Sequence, residues 1–292
     1  MVLAVPVAPP GWHATIGADA DELVCVSTPP EFFAIGQFYA RFPPVSDDEV
    51  VACLRRATPA QDAAHASAPR AAGDADPPAR REEVRPQVGL IRLAGYLTVP
   101  ENAPQIVVFA HGSGSSRHSP RNRYVAGVLN DAGLGTLLFD LLTRGEERDR
   151  ANVFDIGLLA GRLAEVTRWL RAQPATANAA IGYFGASTGA AAALWAATEP
   201  GTGVAAIVSR GGRPELARPR LAAVTAPTLL IVGADDEVVL DLNRRVQKEL
   251  RCENDLAVVP GASHLFEEPG TLDAAARLAR DWFTSHLTPS PA

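Results

Sequence analysis

The chain has 292 residues, and its 47% hydrophobic and 21% charged content is ordinary for a globular protein. The formal net charge is -6 and the basic residues form no long patch, which disfavours nucleic-acid binding, and no apolar run is long enough to span a membrane. The first residues lack the basic start and apolar core of a signal peptide, and the 3 cysteines are widely spaced, as in proteins with reduced thiols, so we expect a cytoplasmic protein.

The first 56 residues predict a small unit with little regular structure. Val2–Val7 and Leu23–Val26 are short apolar runs typical of strands, and a capping-box pattern at Ser46-Asp47-Asp48-Glu49 opens a helix that continues to Arg56. A unit of about 55 residues with so few elements forms only a marginal core by itself.

Residues 57–86 predict a flexible linker. The chain here turns to Ala, Pro, Arg and Asp without apolar periodicity, and it includes Asp76-Pro77-Pro78 and Arg80-Arg81-Glu82-Glu83. We therefore expect the linker to separate the small unit from a larger domain over residues 87–292.

A strand predicted at Gln105–Ala110 ends in the loop His111-Gly112-Ser113-Gly114-Ser115-Ser116. Such a loop can bring backbone N–H groups beside a reacting centre, and we assign that of Ser113 as a donor to an oxyanion, with Gly114 as the alternative. We expect His111 to fix the shape of the loop through hydrogen bonds rather than to take part in chemistry.

The segment Gly185-Ala186-Ser187-Thr188-Gly189 has the Gly-x-Ser-x-Gly pattern of a nucleophilic serine on a sharp strand-to-helix turn. A short β-favouring run, Ala180–Phe184, precedes it, and an Ala- and Leu-rich run, Ala190–Ala197, follows it. Small flanking residues allow the strained turn, and the following helix directs its first N–H group, that of Thr188, at developing negative charge. The alternative is that Ser187 is only a small residue in an ordinary turn.

The strand predicted at Val204–Ser209 ends in Arg210-Gly211-Gly212-Arg213. We expect Arg210 or Arg213 to lie at the rim of the site and to pair with a substrate carboxylate. The alternative is a solvated basic turn or an ion pair with a surface acid. Because the next strand begins near Thr228, the intervening residues leave no room for a large helical lid.

An acid and a histidine follow at the ends of two later predicted strands. Thr228–Val232 runs into Gly233-Ala234-Asp235-Asp236-Glu237, and Leu256–Val259 runs into Pro260-Gly261-Ala262-Ser263-His264. An acid at a strand end can orient a histidine that activates the serine, and the chain order Ser, Asp, His is that of α/β-hydrolases. Asp236 could instead cap a helix, and His264 could be a surface residue.

From about Val88 to Leu287 the chain resembles the dienelactone hydrolase-like branch of the α/β-hydrolases. The resemblance rests on four segments: His111–Ser116, Leu141-Leu142-Thr143-Arg144-Gly145-Glu146-Glu147, Gly185–Gly189 and Pro260–Glu268. It implies an α/β fold with a mostly parallel central sheet, helices on both faces and no large lid.

The resemblance also selects the acid. In the family it lies three residues after the first glycine of its turn and three before a valine, which favours Asp236 over Asp235. The implied triad is Ser187, Asp236 and His264, with backbone donors at Ser113 and Thr188. Dienelactone hydrolases proper use a cysteine nucleophile, so the serine in this chain favours a serine esterase and argues against the dienelactone substrate.

The front of the chain resembles the carboxyl end of bacterial phosphoribosyltransferases, through Val2–Pro10 and Thr28–Gly36. We expect a remnant without transferase chemistry, because the acidic pair and the Gly- and Thr-rich loop that hold pyrophosphate in such enzymes are missing from it. Its apolar side chains would be covered by the hydrolase domain or in a homo-oligomer, since an exposed cluster would be adhesive. They are Phe32, Phe33, Ile35, Phe38, Tyr39 and Phe42.

We therefore expect a serine hydrolase that cleaves small to medium carboxylic esters through an acyl-enzyme on Ser187. No metal or other cofactor is expected, since the His and Cys positions offer no CxxC, HxxxH or HExxH spacing. The same triad would also serve an acyltransferase or a peptidase. A non-catalytic, hydrolase-like module that binds a partner is the alternative from a different class.

Overall fold

The computed structural model describes residues 2–12, 22–30, 32, 35–39, 80–100 and 105–287. The chain divides into two compact units, Met1–Pro43 and Pro44–Ala292. The helix predicted at 46–56, residues 57–79 of the predicted linker, and Phe33 and Phe42 lie outside the described residues.

The smaller unit contains a two-stranded parallel sheet. Strand β1 is Val2–Val7 and strand β2 is Glu22–Ser27, so the strands coincide with the two apolar runs of the sequence. A short 3-10 helix, Ile35–Phe38, follows, and the ring of Phe38 stacks on that of Phe32 with 5.3 Å between the centroids. Ile35 and Phe38 are exposed in this unit, and what covers them stays a prediction.

The larger unit is built on a mostly parallel sheet. Its strands are β3 (Arg80–Val84), β4 (Gln87–Val88), β5 (Ile91–Arg92), β6 (Gly95–Val99), β7 (Gln105–Ala110), β8 (Gly135–Phe139), β9 (Ala180–Ala186), β10 (Val204–Arg210), β11 (Thr228–Gly233) and β12 (Asn254–Val259). Eight of them form one sheet in the order β12-β11-β10-β9-β7-β8-β6-β3, while β4 and β5 pair with each other. The strands from β12 to β8 are parallel, and β6 and β3 add antiparallel pairs at one side.

Helices connect these strands. They are α1 (Pro120–Asp131), α2 (Arg150–Phe154), α3 (Ile156–Ala172), α4 (Thr188–Ala196), α5 (Glu237–Glu249) and α6 (Thr271–His286), with 3-10 helices at Glu146–Arg148 and Pro214–Ala223. Within the described residues, no helix has both the length and the apolar character needed to cross a lipid bilayer.

The sequence predicts the end of a flexible linker at residues 80–86, but Arg80–Val84 forms the edge strand β3. The prediction is wrong for these five positions because an edge strand faces solvent and tolerates charges, so it shows no apolar periodicity. Val84 reaches the buried core. The guanidinium of Arg81 instead covers the ring of Tyr96 on β6, with Cζ 4.2 Å from the ring centroid.

Two apolar layers cover the faces of the large sheet. Ile106 and Val108 of β7 pack in one buried cluster with α3 and α4, whereas Val107 and Phe109 pack in another with α1 and α6. Strands buried on both faces read as continuous apolar runs, which is why the sequence predicts them well. The expected arrangement, a mostly parallel sheet with helices on both faces, is confirmed.

The carboxyl ends of five adjacent parallel strands, β12, β11, β10, β9 and β7, meet at one end of the sheet. The residues predicted to take part in chemistry lie at this end, on the loops that follow the strands, at the end of β10 or at the start of α4, as expected for open α/β sheets. The connection from β10 to β11 carries the 3-10 helix Pro214–Ala223, whose Ala217 and Leu221 are buried in the core. It therefore forms no large lid.

Candidate active site

Ser187 sits on the sharp turn between β9 and α4 with a left-handed backbone, φ 51°. A side chain at Gly189 would place its Cβ 2.5 Å from the carbonyl oxygen of His111, and one at Gly185 would place it 2.7 Å from the amide nitrogen of Ala190. The two glycines of the pattern are therefore required by close packing. The turn holds Ser187, which is partly exposed, at the end of the sheet.

The turn is anchored to the neighbouring strand β10. The N–H of Ser187 donates to the carbonyl oxygen of Arg210 at 3.3 Å, and the N–H of Arg213 donates to the carbonyl oxygen of Ser187 at 3.0 Å. The residue predicted as nucleophile thus lies beside the end of β10, where the two arginines predicted at the rim are found.

Asp236 and His264 are in direct contact. Nδ1 of His264 lies 2.6 Å from Oδ2 of Asp236, and their side chains are 31% and 13% exposed. Asp236 occupies the N-cap position of α5, but its side chain makes no capping hydrogen bond there. Its neighbour Asp235 is exposed. The geometry therefore favours the histidine contact over the capping alternative, and Asp236 over Asp235.

The loop that carries His264 lies against the turn after β10. A Cβ added at Gly211 would be 3.1 Å from the carbonyl oxygen of His264 and 3.6 Å from its Nδ1. Gly211 directly follows Arg210, whose carbonyl oxygen holds Ser187, so Ser187 and His264 border the same short turn. Among the described residues, none hydrogen-bonds to Oγ of Ser187 or to Nε2 of His264.

His111 shapes the loop after β7, as the sequence predicts. The N–H of Leu141 donates to Nε2 of the buried imidazole at 3.1 Å, which leaves the proton on Nδ1 to donate to the carbonyl oxygen of Gly112 at 3.0 Å. Burial lowers the pKa of His111, so the ring is neutral at neutral pH, although the Gly112 hydrogen bond and the Asp140 charge oppose this shift.

The two residues predicted as oxyanion donors are bonded to each other. The backbone N–H of Ser113 donates to Oγ1 of Thr188 at 2.9 Å. Thr188 is the first residue of α4 and is only 6% exposed. The structure thus brings the loop after β7 to the start of α4, but the Ser113 N–H is directed at a side-chain oxygen.

The two arginines after β10 differ in their surroundings. Arg213 is ion-paired, with Nε 2.5 Å from Oε1 of Glu215. Arg210 is 7% exposed, and within the described residues its guanidinium has no hydrogen bond and no ion pair, with Nε and Nη1 fully buried. Its Cζ lies 5.6 Å from the centroid of the Phe266 ring. Burial and then the charge of Arg121 lower the pKa of Arg210 to about 10, so it stays protonated at neutral pH.

Asn243 supports the site, although this role is not among those predicted from the sequence. It is fully buried and donates through Nδ2 to the carbonyl oxygens of Gly212 at 3.0 Å and Val239 at 2.8 Å. The turn after β10 is thereby fixed to α5. A signal existed, since Asn243 is a polar residue on the apolar face that Val239 and Val246 define in α5.

The described residues contain no group of three or more His, Cys, Asp or Glu side chains placed to hold a metal ion. The loops at this end of the sheet carry the Ser187 hydroxyl at a helix N-terminus and an imidazole in contact with a carboxylate, and β10 ends in the buried guanidinium of Arg210.

The larger unit has counterparts among known proteins. A model of the dienelactone hydrolase family matches residues 93–287. The crystal structure of a dienelactone hydrolase from Anabaena variabilis is 54% identical with a TM-score of 0.70, over 72% of this chain and 99% of that one. A structure from Xanthomonas campestris, described as an α/β serine hydrolase without lid, is 22% identical with a TM-score of 0.60, over 75% of this chain and 100% of that one, and bears on the fold alone.

A curated relative extends the similarity to the front of the chain. A Mycobacterium tuberculosis protein named as a putative phosphoribosyl transferase is 61% identical over 287 residues, which is 98% of this chain. This chain spans 64% of the length of that relative.

Proposed function

This chain belongs to the dienelactone hydrolase family and has the α/β-hydrolase fold, and from that premise we propose that it hydrolyses carboxylic esters through an acyl-enzyme on Ser187. His264 is the general base and Asp236 the acid that orients it. The observation that carries the proposal is the 2.6 Å contact between Nδ1 of His264 and Oδ2 of Asp236 beside the serine turn.

The proposed reaction uses these groups in two steps. Oγ of Ser187 attacks the ester carbonyl while Nε2 of His264 takes its proton, and the imidazolium then returns that proton to the departing alcohol as the C–O bond breaks. Water attacks the acyl-enzyme with the same help, releasing the acid and the free serine. Asp236 accepts the Nδ1–H of His264 and stabilises the imidazolium that forms.

Negative charge on the carbonyl oxygen would be stabilised at the start of α4. The N–H of Thr188 follows the nucleophile directly and lies in the first turn of the helix, where backbone donors lack intrahelical acceptors. Ser113, the second proposed donor, comes to the same place through its bond to the Thr188 side chain.

Arg210 is the proposed contact for an acidic group on the substrate. A buried guanidinium without a carboxylate partner in the protein destabilises the fold. An anionic group of the substrate would supply the missing hydrogen-bond acceptor and the opposite charge. Arg213 is a weaker choice because Glu215 already pairs with it. We therefore expect small or medium esters that carry a carboxylate or another oxyanion, bound in an open site without a large lid.

The name of the tuberculosis relative does not change this proposal. It concerns a longer protein, and the residues used here all lie within the range that the dienelactone hydrolase family matches. Two other activities would use the same triad. An acyltransferase would pass the acyl group to an acceptor other than water, and a peptidase would cleave an amide instead of an ester.

Activity assays test the proposal directly. Purified protein should hydrolyse p-nitrophenyl esters of short acyl chains and should be labelled by a fluorophosphonate, and Ser187→Ala should lose both properties. Ser285→Ala, which alters an exposed serine on α6, is the matched control and should keep both. Wild-type protein that neither turns over esters nor takes the label would favour the non-catalytic module. Adding p-nitroanilides and alcohol acceptors to the assay separates hydrolysis of esters from amide cleavage and acyl transfer.

A further inference from the structure

The backbone N–H of Ser113 is already engaged by the side-chain hydroxyl of Thr188. The sequence predicts that the Ser113 N–H donates directly to the reacting carbonyl, yet in the structure it donates to Oγ1 of Thr188 at 2.9 Å, a normal hydrogen-bond length. The acceptor belongs to the residue that follows the nucleophile, so this bond lies at the centre of the proposed reaction site.

Both ends of this hydrogen bond are held rigidly. His111 fixes the Ser113 loop through its bonds to Leu141 and Gly112. A Cβ at Gly112 would lie 3.1 Å from Cβ of Ser187, so this loop packs closely on the serine turn. Thr188 is 6% exposed at the start of α4. A substrate therefore meets a preformed Ser113 to Thr188 contact rather than a free amide.

The Thr188 hydroxyl still has a proton to donate. A threonine hydroxyl can accept hydrogen bonds and donate one, and no residue that the structure describes accepts from Oγ1 of Thr188. A hydroxyl that accepts a hydrogen bond from an amide becomes a better donor through polarisation. Direct donation by Ser113 would instead leave the buried hydroxyl oxygen without its amide donor.

We infer that the Thr188 hydroxyl is a catalytic donor to the oxyanion and that the Ser113 N–H positions and polarises it. Thr188 then contributes two donors, its backbone N–H and its side chain, and Ser113 acts through it. This inference rests on the proposed esterase function and replaces the assignment of Ser113 as a direct donor.

Three variants at one position test the inference. Thr188→Val keeps the shape but removes the hydroxyl, and it should lower kcat on p-nitrophenyl acetate about 10²- to 10³-fold with little change in KM, as expected for a donor that acts in the transition state. Thr188→Ser keeps the hydroxyl and should stay within about threefold of wild type, and Thr188→Ala should resemble Thr188→Val. A fluorophosphonate places its phosphoryl oxygen where the oxyanion of the ester forms, so the rate of labelling by this reagent should fall in parallel.

The outcomes separate this inference from the proposed function. A Thr188→Val variant that folds, as judged by its thermal unfolding, and that reacts as fast as wild type or faster would overturn the inference, because the Ser113 N–H would then be the direct donor with the hydroxyl as its competitor. A loss in Thr188→Val that Thr188→Ser does not restore would overturn it as well. If wild type itself is not labelled at Ser187, the proposed function fails, and this inference fails with it.

Discussion

Nδ1 of His264 lies 2.6 Å from Oδ2 of Asp236, although the two residues lie on loops that follow different strands of the sheet. Strands β11 and β12 are adjacent and parallel, with Gly233 paired to Val259, so the loops after them start side by side. A Cβ at Gly233 would lie 2.8 Å from the carbonyl oxygen of Ser263, which shows how closely the two loops approach. The contact is thus a direct result of strand order.

Replacing the acid should abolish most activity. Asp236→Asn keeps the shape but removes the charge that fixes the His264 tautomer, so kcat should fall by about three to four orders of magnitude. Asp235→Asn alters an exposed side chain and should stay within about threefold of wild type. Steady-state kinetics on one neutral ester compare the two, and equal losses would mean that the wrong acid had been assigned.

Removing the buried charge of Arg210 should stabilise the folded protein and at the same time weaken its activity on anionic esters. Arg210→Met removes an uncompensated guanidinium and should raise the free energy of unfolding by about 1 kcal/mol. The same change should lower kcat/KM for an anionic ester, such as a hemisuccinate, about 10- to 100-fold and leave its neutral methyl ester nearly unchanged.

Arg213→Met is the control for this experiment, since it leaves Glu215 without its partner and should lower stability. If Arg210→Met slows neutral and anionic esters equally, Arg210 does not bind a substrate anion.

The glycines of the serine turn should be intolerant of even a methyl group. Gly189→Ala would push Cβ against the carbonyl oxygens at the end of β7, and we expect a loss of about 3 kcal/mol or more, or failure to fold. Gly161→Ala, within α3 and with no atom within 4 Å of the added Cβ, should instead stabilise by about 0.5–1 kcal/mol. Urea unfolding of both variants checks the contrast, and similar values for the two would contradict the close packing.

Stability should fall in mild acid because of His111. Its folded-state pKa lies below the ordinary 6.5, so the unfolded chain binds a proton here before the folded protein does. The contribution is fully present above pH 6.5 and is lost as the pH falls towards the folded-state pKa, with a slope of at most about 1.4 kcal/mol per pH unit. Urea unfolding from pH 7.5 to 5 should show a smaller slope for His111→Gln, whose amide oxygen can accept from Leu141. An unchanged slope would show that another group is responsible.

Much of the fold could be predicted because its signals are local. Buried parallel strands such as β7 and β11 are continuous apolar runs, and two glycines at fixed spacing predict the Ser187 turn. The charged edge strand β3 could not be found this way, because only its pairing with β6 makes it a strand.

The details of the site depended on side chains that meet across the fold. Arg213 pairs with Glu215, whereas Arg210 is buried without a hydrogen-bonding partner among the described residues. The sequence motif, in which both residues are arginines, does not predict this difference. The Thr188 to Ser113 bond joins residues separated by 75 positions, and no local pattern predicts it.

Because β12 lies at one edge of the sheet, His264 is the part of the site that local unfolding should displace first. An edge strand has a neighbour on one side only, so it can detach in a local opening that leaves the central strands intact. Such an opening would carry His264 away while Ser187 stays on the inner strand β9. In dilute denaturant, catalysis should therefore cease before the sheet melts, and amide hydrogen exchange should be faster in β12 than in β7 or β9.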